Sequence, residues 1–149
     1  MQDTTQTTRP LRLLAVDDEP HSADLIGRVA RKCGFDARGT FETRSLAQLL
    51  LEWRPDVITL DLVMPRADGG DVLTLLKVMA YSGCVIIVSG QSKPILEAAR
   101  RQAVLGRLNV AGYMQKPVDL KALREMLERV HAQAASAPPT AVSPAQRTG

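Results

Sequence analysis

Aromatic side chains are scarce: one Trp, two Tyr and two Phe make up 3% of the 149 residues. That argues against a nucleic-acid platform, where bases stack on successive rings. Cysteine occurs only as Cys33 and Cys84, both inside apolar patterns, so both read as reduced core residues and a disulfide is not expected. Histidine is limited to His21 and His131, read as exposed helix residues, and no Cys/His cluster argues for zinc. No apolar run approaches the ~20 residues of a membrane span. The polar start MQDTTQTTRP has no segment that reads as a secretory signal. A cytoplasmic protein is the expectation.

The chain does have enough apolar residues for a core, 45% of the total, an ordinary globular share. Its net charge of +3 conceals an asymmetry: residues 10–92 carry 9 basic and 11 acidic side chains, and residues 93–130 carry 8 and 4. The basic excess includes Arg100, Arg101 and Arg107, expected to cluster on one helix. They read either as a solvated helix face or as a surface for an anionic partner or nucleotide.

Apolar runs alternate with helix-period segments. LRLLAV (11–16), FDARGT (35–40), DVITLD (56–61), CVIIVS (84–89) and VAGYM (110–114) read as strands. Between them, Ile26, Val29, Ala30 and Cys33 fall on one helical face, with Gly34 as the stop. Leu46, Leu49, Leu50 and Trp53 fall on a second, with Thr43 as N-cap and Arg54-Pro55 as the end. Val72, Leu75, Leu76 and Met79 make a third, closed by Gly83. A fourth helix starts near Ser92, with Pro94 in its first turn. Leu120, Leu123, Leu127 and Val130 stripe a fifth, capped by Asp119. Five β–α units with nearly continuous apolar strands predict an α/β fold: a doubly wound parallel sheet covered by helices on both faces. Residues 10–133 are expected to form this domain. Residues 1–9 and the Pro/Ala-rich 134–149 read as disordered tails.

Ligands of such sheets bind at the carboxyl ends of the strands. There the chain places Asp17, Asp18 and Glu19 after the first strand, Asp61 after the third, Ser89 and Gly90 at the fourth, and Lys116-Pro117 after the fifth. Two bare carboxylates ~4 Å apart repel by about 1 kcal/mol in water and about 4 kcal/mol near a protein surface. Several together require a cation or shifted pKa values. An all-oxygen set suits Mg²⁺. Lys116 adds a charge able to bridge a phosphoryl group, Ser89 a hydrogen bond to it, and Asp61 a nucleophile that would form an acyl phosphate. Each feature also has a plainer reading. Asp17, Asp18 and Glu19 could cap the first helix, Ser89 could cap the fourth, and Lys116-Pro117 alone is a turn.

LLAVDDEP, VITLDLVMP, VIIVSG and GYMQKP, in this order, resemble the receiver domain of two-component response regulators, a flavodoxin-like fold of five parallel strands and five helices. The resemblance covers about residues 10–133. It implies Asp61 as phosphoacceptor, with Mg²⁺ held by Asp18 directly, Asp17 through water, Asp61, and the backbone carbonyl of Val63. It implies Ser89 and Lys116 as phosphoryl contacts, Ser89 and Tyr113 as switch residues, and a cis bond before Pro117. The phosphodonor would be a histidine kinase or a histidine phosphotransfer protein. Output would pass through protein contacts of helix four, strand five and helix five, with a homodimer among them and no DNA-binding domain expected. The stretch from Ser89 to Lys116 is longer than the family's pattern and is similar to receivers attached to cyclic-di-GMP phosphodiesterase domains.

Two other functions compete with a phosphorylated switch. A phosphohydrolase of the haloacid dehalogenase type would need a D-x-D, where this chain has Asp61-Leu62-Val63; an enzyme is therefore not expected. A phosphorylation-independent module could instead read cyclic di-GMP through its arginines.

Overall fold

The computed structural model describes residues 9–62 and 69–136. Ten elements alternate along them: β1 (Arg12–Val16), α1 (Pro20–Lys32), β2 (Asp36–Thr40), α2 (Thr43–Glu52), β3 (Val57–Leu60), α3 (Gly69–Val78), β4 (Cys84–Ser89), α4 (Lys93–Leu105), β5 (Asn109–Gln115) and α5 (Leu120–Ser136). The strands form one sheet in the order β2-β1-β3-β4-β5, and every neighbouring pair is parallel. This is the doubly wound arrangement expected, with the order reversing between β1 and β3.

Strand alternation divides the core into two layers. Leu14, Val16, Ile58, Leu60, Val85 and Ile87 point to one face, where Leu46 of α2 and its C-cap Trp53, Leu73 and Leu76 of α3, and Leu96 and Ala103 of α4 cover them. Leu13, Ala15, Val57, Ile86 and Val88 point to the other, against Ile26 and Ala30 of α1 and Leu123, Leu127 and Val130 of α5. Because both faces are covered, the central strands are fully buried and carry few polar residues. Thr59 is the exception: its Oγ1 is buried without a hydrogen-bond partner among the described residues.

Local chemistry explains most element ends. Gly34, with φ +100°, takes the left-handed turn that stops α1. Asp119 Oδ1 accepts from the N–H groups of Lys121 and Ala122 at 3.0 and 3.2 Å, capping α5. Ser92 is the N-cap of α4, with Pro94 in its first turn. At α2 the expected cap is corrected: Glu42 is the N-cap and Thr43 the first helical residue. Thr40 Oγ1 accepts from the Glu42 N–H and the Ser45 hydroxyl donates to Glu42 Oε1, so this entry is tied from both sides. α3 ends at Val78, not at Gly83; the chain turns at Ala80, with φ 53°. Gly83 answers to space instead, since a Cβ there would collide with the Tyr81 hydroxyl and the Asp56 carbonyl. α5 continues through Ser136, past the expected boundary at 133.

The β4–β5 ladder carries the one irregular register. Val85 pairs with Val110 but Ile86 pairs with Gly112, so Ala111 is an extra residue. Val110 and Tyr113 are three apart, and plain alternation would send them to opposite faces. The bulge puts both against the α4 layer.

Candidate functional site

The carboxyl ends of β1, β3, β4 and β5 meet along one rim. The Asp17 N–H donates to Thr40 O at 3.0 Å, the Asp61 N–H to Val16 O at 2.9 Å, and the Lys116 N–H to Ser89 O at 2.8 Å. These bonds tie each loop to its neighbour just where the polar side chains begin. The Lys116–Pro117 bond is cis, as the resemblance implied.

Lys116 Nζ bridges two carboxylates, donating to Asp17 Oδ2 at 2.8 Å and to Asp61 Oδ2 at 2.9 Å. Glu19 Oε1 lies 3.7 Å from the same ammonium but is largely exposed, so its attraction is screened. Asp17, Asp61 and Ser89 are buried, and Asp18 is half-buried. One carboxylate oxygen from each of Asp17, Asp18 and Asp61 falls within 4.8 Å of the others. This cluster of oxygen donors fits a hard divalent cation such as Mg²⁺. Ser89 Oγ accepts the Gln91 N–H at 3.4 Å. Register places Asp61 and Ser89 at similar heights, since Leu60 pairs with Ile87.

The electrostatics are unequal across this contact. Burial pushes Asp17 above the ordinary carboxylate range; the Lys116 bond, the Glu19 N–H and the ammonium's charge oppose it, while Asp61 adds to it. Burial pulls Lys116 down, yet the bonds from Asp17 and Asp61 together outweigh it and leave the ammonium favoured. A cation shared by two buried carboxylates is well held. A carboxylate sharing that cation with a second carboxylate is not fully compensated.

Of the site residues expected from sequence, Asp17, Asp18, Asp61 and Lys116 come together directly. Ser89 ends β4 on the same rim. Tyr113 stands three residues before Lys116, half-buried against the α4 layer. Val63 and Met64 lie outside the described residues. The arginine cluster is corrected: α4 ends at Leu105 and Gly106 is its C-cap, so Arg107 stands past the helix in the exit turn, with φ 68°. Arg100 and Arg101 remain on α4 and both face Glu97, at 2.5 and 3.7 Å. Sequence reading missed one contact on this side. Gln115 Nε2 donates to Gln91 O at 3.0 Å, pinning the β4–α4 loop.

A five-stranded parallel sheet with an aspartate cluster and a bridging lysine at its carboxyl rim defines a class of phosphate-handling α/β domain. Residues 13–128 match the family described as the response regulator receiver domain. The chain belongs to that family. It is 32% identical over 123 residues to the DNA-binding response regulator MtrA of Mycolicibacterium smegmatis, a match covering 82% of this chain and 50% of that protein. The chain thus spans about half the length of the first curated relatives it matches. A signal receiver domain from Bermanella marisrubri is 32% identical, with TM-score 0.64, over 81% of this chain and 95% of that one. A response regulator from Colwellia psychrerythraea superposes with TM-score 0.73 at 25% identity, over 83% and 98%. Proteins of this family act as signalling switches. Among the described residues no helix is long and apolar enough to cross a membrane.

Proposed function

We propose that the chain is a phosphoacceptor switch of a two-component phosphorelay, taking a phosphoryl group on Asp61 in the presence of Mg²⁺. The observation that carries this reading is the Lys116 ammonium held between Asp17 and Asp61 at 2.8 and 2.9 Å, with Asp18 completing the carboxylate cluster. Asp17, Asp18 and Asp61 would hold the ion, with the Val63 carbonyl as a further ligand from outside the described residues. When bound, Mg²⁺ supplies positive charge for the phosphoryl oxygens. Asp61 oxygen attacks phosphorus, the P–N bond of a phosphohistidine donor breaks, and its electron pair returns to the imidazole. The donor is a histidine kinase or a histidine phosphotransfer protein. Lys116 then leaves Asp17 for a phosphoryl oxygen, Ser89 donates a hydrogen bond to another, and Tyr113 follows toward the space behind Ser89. The rearrangement alters the face made by α4, β5 and α5, where a downstream protein or a second copy docks. The chain accepts and holds the group and does not turn over a substrate.

The test is incubation with acetyl phosphate and Mg²⁺, read by intact mass. One phosphate is expected, lost in Asp61→Asn and after chelation; a phosphate that survives Asp61→Asn refutes the assignment. The cyclic-di-GMP reading, with its resemblance to phosphodiesterase-linked receivers, is the weaker one. Both α4 arginines already face Glu97, and Arg107 is off the helix. Calorimetric binding of that nucleotide, lost when Arg100 and Arg101 are both changed to Ala, would reverse this order.

A further inference from the structure

The link between β4 and α4, residues 90–92, is short and lightly held. Gly90 has no side chain, and a Cβ built there would meet nothing within 4 Å. Ser92 is the N-cap of α4, yet its side chain makes no capping bond. The grip falls on Gln91, at both of its backbone groups. Its N–H donates to Ser89 Oγ at 3.4 Å, a long and therefore weak contact. Its carbonyl accepts from Gln115 Nε2 at 3.0 Å, an ordinary length.

Both ends of this grip start from one register pair. Ser89 lies beside Gln115 in the β4–β5 ladder, and Ser89 O accepts the Lys116 N–H at 2.8 Å. The two backbones are thus fixed, and only side chains and the loop are left to move. At the end of β5, neighbouring residues do different work: the Lys116 ammonium enters the pocket between Asp17 and Asp61, and the Gln115 amide reaches the loop. The buried Ser89 hydroxyl oxygen is engaged with the loop, where it accepts the Gln91 N–H. To meet a phosphoryl oxygen on Asp61 this hydroxyl turns toward the pocket, and the Gln91 N–H loses its acceptor. Gln115 opposes that step by keeping Gln91 where its N–H meets Ser89.

We infer that Gln115 is a positioning residue whose side-chain amide clamps the β4–α4 loop, holds Ser89 turned to Gln91 and so restrains the phosphorylated arrangement. This rests on the reading of Ser89 as a phosphoryl contact given above. One strand end then carries both the ammonium that would meet the phosphoryl group and the amide that holds back the hydroxyl. Loosening the clamp favours the phosphorylated form without touching the acidic pocket. Gln115 is exposed and its bond is between neutral groups, so the shift in a two-state equilibrium is small, about 2- to 5-fold.

The experiment uses Gln115→Met, which keeps the reach of the side chain and removes its donor, in both the native and the Ser89→Ala background. Binding of beryllofluoride with Mg²⁺ is followed by calorimetry, and exchange of the Gln91 backbone amide by NMR of the unliganded proteins. Gln115→Met is expected to tighten beryllofluoride binding by about 2- to 5-fold and to speed Gln91 exchange by a similar factor. In the Ser89→Ala background it is expected to leave the affinity unchanged, because the restraint acts through the hydroxyl. Equal tightening in both backgrounds overturns the clamp. So does Gln91 exchange that stays the same, or a wild type that binds beryllofluoride as tightly as Gln115→Met or more tightly. A wild type that does not bind beryllofluoride at all overturns the phosphoacceptor reading itself, an outcome distinct from these.

Discussion

Replacing Lys116 with methionine leaves Asp17 and Asp61 facing each other from buried positions, with side chains only 2% and 7% exposed. Two bonds vanish, of 2.8 and 2.9 Å, each with a charged group on both ends. Removing one partner of a buried ionic contact costs about 3–5 kcal/mol in general. The lysine is itself 17% exposed, so water reaches the pocket rim and recovers part of that cost. A loss of about 3 kcal/mol is expected at neutral pH in chelator, a large share of a typical stability of ~5–15 kcal/mol. Urea unfolding reports it through Trp53, the only tryptophan and a buried one. The pH dependence gives the sharper check. The folded pKa of Lys116 lies above its ordinary 10.5. Its stabilisation is therefore complete below 10.5 and disappears as pH rises through the folded value. Asp17 is raised above 3.8 by burial. Its protonated form favours the folded state, and stability falls as pH rises from 3.8 through the folded value. Without Lys116 that acid-side fall becomes larger. The difference between wild type and Lys116→Met should thus be widest at neutral pH and shrink towards both ends. A loss below about 1 kcal/mol, the scale of an exposed ion pair, or one constant across pH, would refute the reasoning.

Thr59→Val removes a buried hydroxyl with no partner among the described residues and keeps the branched shape. A gain of about 1 kcal/mol is expected in urea unfolding; a loss would show that the hydroxyl is satisfied. Gly83→Ala drives a Cβ to 2.6 Å from the Asp56 carbonyl and closer still to the Tyr81 hydroxyl. The carbonyl accepts the Cys84 N–H and the hydroxyl is bonded to Pro55, so neither yields freely. A loss of roughly 2 kcal/mol should appear as a lowered Tm, and an unchanged Tm would contradict the contact. Burial pushes the Cys84 thiol up to about 11 and raises that of Cys33 by less. Cys33 should therefore react first with a disulfide reagent at mildly alkaline pH, and faster labelling of Cys84 by peptide mapping would invert that order.

The element order, the helix faces and the acidic and basic residues at strand ends were legible in the chain. Each rests on local rules: an apolar run four to six residues long, a helical repeat, a glycine or proline at its end. Asp17, Asp18, Asp61 and Lys116 could be grouped before any coordinates because a parallel sheet brings all carboxyl ends to one rim. Placing Thr43 as a cap and Gly83 as a helix stop failed because several neighbouring residues can end a helix equally well, and packing selects among them. Arg107 was expected to share α4 with Arg100 and Arg101, but the helix ends at Leu105 with Gly106 as its C-cap.

Tertiary structure alone decided the pairings. The chain names three carboxylates and one ammonium, but only folding shows that Lys116 divides itself between Asp17 and Asp61. The same is true of Tyr113, whose packing against the α4 layer was set by one extra residue in β5. Periodicity says which side of an element is apolar, since that follows from backbone geometry repeated residue by residue. It says nothing of which polar partner meets which, because that depends on register between strands and on distances that no local repeat contains.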